Sequence, residues 1–96
     1  MAFVRLAFFP GGTERHYLAI GAELDDVEFP PGRLLFAAGP ADGGWQVVQV
    51  WETRAQLDAF NQAHFLPALA RAAGRAFPQP PRVTDFETLD LSFSAP

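Results

Sequence analysis

The chain has 96 residues, enough for one domain, and with 49% of them hydrophobic and 14% aromatic it carries core material rather than a disordered composition. The lack of cysteine excludes a disulfide framework and a thiolate metal site. The net charge of −4, with scattered arginines and no lysine, argues against a nucleic-acid surface, which needs a clustered basic face.

Ala2 to Phe9 is rich in Phe, Val and Leu and stops at Pro10-Gly11-Gly12, which predicts a strand closed by a turn. A signal peptide is the other reading of this apolar start, but Arg5 interrupts the run and no small-residue cleavage site follows. No apolar stretch approaches the roughly 20 residues needed to span a bilayer, and a cytoplasmic protein is expected. Thr13 is placed to cap a helix, with Glu14 in its first turn. Tyr17, Ile20, Gly21 and Leu24 follow the spacing of one helix face, and Gly21 there predicts close approach of helix to sheet. Asp25-Asp26 and the breaker Pro30-Pro31-Gly32 end that unit.

Leu34 to Ala38 reads as a second strand, Gly39 to Gly44 as a turn cluster and Trp45 to Trp51 as a third strand, together a hairpin. Thr53 and Gln56 fit a capping box, in which hydroxyl and amide satisfy each other's free backbone donors. The helix that follows meets Pro67, which should kink it or restart it with the proline in a first turn. Gly74 and the Phe77 to Pro81 loop end it, and Arg82 to Leu89 reads as a last strand. The order strand, helix, strand, strand, helix, strand folds, with right-handed crossovers, into a ferredoxin-like α+β domain spanning residues 1–96. Its two helices lie on one face of an antiparallel sheet.

Two helices cover one sheet face, yet these strands are apolar on both. Phe3, Ala7 and Phe9 point one way while Val4, Leu6 and Phe8 point the other, and in the third strand Val48 and Val50 oppose Trp45, Val47 and Trp51. An uncovered face of that composition predicts a homodimer in which two sheets pack together. The tail from Asp90 to Pro96 is apolar enough to lie on a neighbour.

The element order and the block GPADGGWQVVQVWETRAQLDAFNQAHFLPALA resemble the dimeric α/β-barrel proteins, among them the antibiotic-biosynthesis monooxygenase (ABM) type, over nearly the whole chain. In that block a Trp and an acidic residue end the third strand, a capping residue follows and an amphipathic helix begins. The resemblance implies a dimeric barrel and a cofactor-free monooxygenase-like protein that takes a small aromatic or quinol-like molecule between helices and sheet. The haem-degrading branch of the family uses a second-helix histidine, a third-strand Trp and a first-strand Asn. Trp51 and His64 echo two of these, but the first strand has no Asn. No cofactor or metal is therefore expected, and the two histidines carry no ligand spacing.

Winding the second helix at the α period places Leu57, Phe60, Asn61, His64 and Ala68 on one face. Asn61 and His64 would then be polar groups in an apolar stripe, either satisfied structurally or serving a ligand. In the functional reading His64 is the base and Asn61 or Gln49 donates to a developing oxyanion. Trp51, Tyr17, Phe36 and Phe60 wall the pocket by stacking; the plainer reading of these rings is core packing. His16 lines the pocket mouth or is a surface histidine. Arg5, in the middle of the first strand, binds an anion in the cavity or pairs across strands with Asp85 or Glu87. Trp45 is expected at an edge or as a lid. A closed, ring-filled helix–sheet interface would instead favour a non-catalytic ligand-binding or structural dimer.

Overall fold

The computed structural model describes residues 1–24 and 29–94, so Asp25 and Asp26 and the final two residues of the tail lie outside it. Along the chain run β1 (Phe3–Pro10), α1 (Glu14–Ala22), β2 (Arg33–Ala41), β3 (Gly44–Trp51), α2 (Arg54–Phe60), a π turn (Asn61–Phe65), α3 (Leu66–Ala72), a 3-10 turn (Ala73–Arg75) and β4 (Arg82–Glu87). The four strands form one antiparallel sheet in the order β2-β3-β1-β4, the ferredoxin-like arrangement expected. None of the helices is long and apolar enough to cross a membrane among the described residues.

The starts of α1 and α2 are closed by reciprocal side-chain caps. At α2 the Gln56 N–H donates to Thr53 Oγ1 (3.2 Å) and the Thr53 N–H to Gln56 Oε1 (3.0 Å), the box that the spacing predicts. At α1 the same box forms with a histidine as the second member: His16 Nδ1 accepts from the Thr13 N–H at 3.1 Å. The β2–β3 hairpin is longer than expected. Gly39, Pro40 and Ala41 pair with Gln46, Trp45 and Gly44, and the turn shrinks to Asp42-Gly43, with Gly43 at φ +81°. β4 stops two residues short of Leu89, where Thr88 leaves the strand to bind Ala2 through both its hydroxyl and its backbone.

Pro67 sits in the first turn of a new helix, α3, the restart that the sequence allows, and the ladder ahead of it passes through the π turn, in which the Leu66 N–H reaches Asn61 O. The extra residue in that turn changes which side chains face the sheet, with consequences for the site.

The helix-facing side of the two central strands has a size pattern that explains the interior. β1 presents Phe3, Arg5, Ala7 and Phe9, and β3 presents, in register, Trp51, Gln49, Val47 and Trp45. Large rings stand at both ends, with small or polar residues between. One end closes where Phe77 stacks on Phe9 (4.0 Å, 20°) and Tyr17 on Trp45 (5.2 Å, 30°). The other closes where Leu57 and Phe60 pack on Phe3 and Trp51. A third cluster, Ile20 with Ala68, Ala72 and Ala76, joins α1 to α3 above the sheet. The opposite sheet face carries Val4, Leu6, Leu35, Val48, Val50 and Phe86, and Phe86 is 49% exposed.

Candidate functional site

Between the two ring clusters a cavity of about 480 Å³ opens over Arg5, Ala7, Val47 and Gln49. Its roof is α1 and the π turn, contributed by Tyr17, Ile20, Gly21, Asn61 and Phe65. Gly21 does not bring the helix close, as the sequence suggests. A Cβ built there meets nothing within 4 Å, so the glycine faces open space.

Four of the residues expected to bind a ligand, Tyr17, Phe36, Gln49 and Phe60, line this space, together with Asn61. The other three expected site residues do not. Trp51 is fully buried behind the wall, and its indole N–H donates to Gln49 Oε1 at 2.9 Å. An indole nitrogen can only donate, so the amide oxygen of Gln49 must face it, which leaves the Gln49 NH₂ free to donate elsewhere. His16 is held in the α1 cap, outside the cavity wall. His64 is exposed, its ring 5.4 Å from that of Phe60. A π turn takes more residues to come round than an α turn. Counting from Asn61, the wider turn leaves His64 short of the cavity, facing solvent, and keeps Phe65 on the cavity wall. The Asn61–His64 pair of the sequence reading is not brought together on one wall. Trp45, expected at an edge or as a lid, is instead buried at one end of the core.

No histidine lines the cavity among the described residues, so the Trp–His echo of the haem-degrading branch is not carried into the cavity wall. Arg5 lies in the cavity floor but is already engaged. Its Nε and one terminal nitrogen donate to the two Asp85 carboxylate oxygens, both at 2.9 Å, the cross-strand pair allowed by the register Arg5↔Asp85. That bidentate bond, with further help from the arginine's charge and against a smaller cost of burial, holds the Asp85 carboxyl below the usual carboxylate range.

The residue that sequence reasoning missed is Arg33. It opens β2 opposite Trp51 and projects into the cavity, its guanidinium carbon 4.5 Å from the Phe36 ring centre, 4.7 Å from Phe29 and 5.5 Å from Phe60. Its Nε is buried with no hydrogen-bond partner among the described residues. Burial pushes its pKa below the ordinary arginine value, opposed by the field of Tyr17. Alternation along β2 would put Arg33 and Leu35 on the same, uncovered face. A bulge between them inserts Leu34 as an extra residue and turns Arg33 to the helix side. The only signal in sequence is a charged residue directly after Pro-Pro-Gly, and it does not reveal the bulge.

No protein-family model matches the chain, and no curated protein matches its sequence. Among solved structures, Rv0793 from Mycobacterium tuberculosis superposes with a TM-score of 0.70 at 21% identity, over 97% of this chain and 100% of that one. A Caulobacter crescentus protein that carries antibiotic biosynthesis monooxygenase as a provisional name gives 0.67 at 15% identity, covering 93% and 91%. An MhuD variant with two manganese protoporphyrin IX molecules bound per active site gives 0.60 at 27% identity, covering 99% and 100%. The chain therefore has the ferredoxin-like α+β fold of the ABM-type proteins.

Proposed function

We propose that the protein binds a small planar aromatic or quinol-like molecule in the helix–sheet cavity and acts on it as a cofactor-free monooxygenase. The observation that carries this reading is the space itself: about 480 Å³ left where a small domain ordinarily packs its core, walled by aromatic rings and offering only a few polar groups. Gln49 and Asn61, beside Arg33, can donate to an oxygen atom developing negative charge, and the rings of Tyr17, Phe36 and Phe60 provide faces for stacking. The provisional name of the Caulobacter protein of the same fold is in line with this chemistry.

A second reading, a non-catalytic ligand-binding homodimer, is favoured by one observation: among the described residues the cavity wall holds no histidine or carboxylate to serve as base. Deprotonation would then fall to the substrate's own acidity. A dioxygen electrode separates the two readings. Consumption of oxygen with a hydroquinone or anthrone, lost on cavity occlusion, supports the enzyme; tight binding with no uptake across such a panel supports the binder.

Occlusion is available at one position. Gly21→Leu places a side chain into open space on a helix and should abolish binding of 1,4-naphthohydroquinone, read by quenching of tryptophan fluorescence. Undiminished binding in that variant would overturn the assignment of the cavity as the site. The uncovered sheet face supports, as part of the same proposal, a homodimer formed through that face.

A further inference from the structure

The geometry points to Arg33 as an anion anchor, so that the molecule the cavity takes is a planar aromatic bearing an oxyanion, either a carboxylate or an ionised hydroxyl on the ring system. This inference rests on the cavity being a ligand site and names the class of ligand.

Three observations support it. First, Arg33 is the one charged group in the cavity wall with no charged partner among the described residues, since Arg5 already holds Asp85 through both carboxylate oxygens. Second, its surroundings are rings: Phe36, Phe29, Phe60 and Trp51 lie 4.5, 4.7, 5.5 and 5.7 Å from the guanidinium carbon. Aromatic faces compensate a desolvated cation only in part, whereas a carboxylate or phenolate in the guanidinium plane satisfies both its charge and its N–H groups. A cation packed among rings, with no acceptor for its buried Nε–H among the described residues, is set up for a ligand that brings one. Third, the backbone holds it there firmly. The Arg33 N–H donates to Pro30 O (3.2 Å), the Glu52 N–H donates to Gly32 O (2.8 Å), and Gln56 packs so closely on Gly32 that a Cβ there would lie 2.3 Å from its side chain. The turn carrying Arg33 is thereby locked to the capped start of α2, which limits the reorganisation needed on binding. Gln49, which lines the cavity and spends its amide oxygen on Trp51, has its NH₂ left as a further donor.

The test compares two anionic probes with neutral twins of the same shape: 2-naphthoate against 2-naphthamide, and ionised 2-hydroxy-1,4-naphthoquinone against 1,4-naphthoquinone. With the wild-type chain at neutral pH, calorimetry should show at least one anion bound about tenfold or more tightly than its twin, as expected for a charge-assisted pair. Which of the two pairs shows the preference distinguishes carboxylate from ionised hydroxyl. Arg33→Gln should bring the preferred anion and its twin within about twofold of each other while the twin's own affinity holds. Where that variant fails to fold, the wild-type protein decides: the Arg33 Nε–H resonance in a nitrogen-15 NMR spectrum should move on adding the anion and stay in place on adding its twin. Equal affinity within both pairs, or a preference that survives Arg33→Gln, would overturn the anchor. If the neutral twins bind and Gly21→Leu blocks them, the cavity reading stands and only the anchor falls; if none of the four probes binds, both fall.

Discussion

Arg5 and Arg33 face the same cavity, yet the two arginines sit in opposite states. Arg5 has both prongs of its fork on Asp85, in a partly buried cross-strand pair with side chains 17% and 23% exposed. Asp85→Asn should therefore destabilise the fold by about 1–2 kcal/mol, more than an exposed surface pair is worth because the bond is bidentate and half-enclosed. The pH dependence has a definite sign. The folded carboxyl titrates below its unfolded value, so its contribution is complete above the unfolded pKa and disappears as pH falls through the lowered folded one. Urea denaturation of wild type and variant should accordingly converge on the acid side and differ most at neutral pH; parallel curves at all pH values would show that the pair adds nothing. The pair was legible in the sequence, because an arginine in mid-strand with an acid at the matching position of β4 needs only the register to meet it. Arg33 was not legible, since its side depends on a bulge that no residue pattern announces. Gly21 shows the same limit from another direction. The helix spacing placed it correctly on the inward face, but whether that face touches the sheet depends on the bulk of Ala7 and Val47 across the gap. Replacing it by Leu should raise stability by up to about 1 kcal/mol through helix propensity while the cavity is lost, an outcome opposite to that of filling a packed core.

At the scale of elements, the caps and the π turn decide where the functional side chains fall. The Thr53–Gln56 box both starts α2 and presses Gln56 on the Gly32 turn. Thr53→Ala should cost ~1 kcal/mol in thermal or denaturant stability, the usual worth of such a cap. It should also loosen the turn that carries Arg33, seen as faster amide exchange at Glu52 and Arg33, whose N–H groups make the flanking bonds. Unchanged exchange at both amides would show that turn and cap are independent. Caps were readable because they rest on residue type at fixed spacing, although the histidine standing in for the acid or amide at α1 was not anticipated. The second helix was readable in extent but not in phase. Pro67 announces that its hydrogen-bond ladder must break, but a kink, a restart and a π turn all satisfy that requirement. The last of them sends His64 to solvent and Phe65 to the cavity. A base assigned by periodicity was thus turned out of the cavity by the wider winding of that turn.

For the molecule as a whole, the exposed sheet face is the largest feature that one copy leaves unexplained. Phe86 at 49% exposure, with Leu6, Leu35 and Val48 beside it, is the composition of an interface core rather than of a solvated surface. The proposed homodimer predicts twice the chain mass by multi-angle light scattering at micromolar concentration. Phe86→Glu should then shift the population to monomer while leaving far-UV circular dichroism in place, because Phe86 packs on no helix and lies on edge strand β4. A wild-type chain that elutes as a monomer would remove the dimer. The four-stranded topology was readable from element order, since hairpins and right-handed crossovers leave few alternatives. The volume between its layers was not, because it is a difference between large quantities that one ring can cancel.

The single-residue bulge at Leu34 makes the chemistry of the cavity a matter of parity. Strand side chains alternate with period two, so deleting Leu34 would leave Arg33 opposite Trp51 on the cavity side, whereas keeping Leu34 and straightening the bulge would pair Leu34 with Trp51 and carry Arg33 to the opposite sheet face. A cation would leave the cavity and enter the face on which the proposed dimer depends, with no substitution anywhere in the chain. An interior charge can therefore be gained or lost through local strand pairing alone, without insertion or deletion. Two sequences aligned without a gap at this position can share an arginine that serves entirely different surroundings.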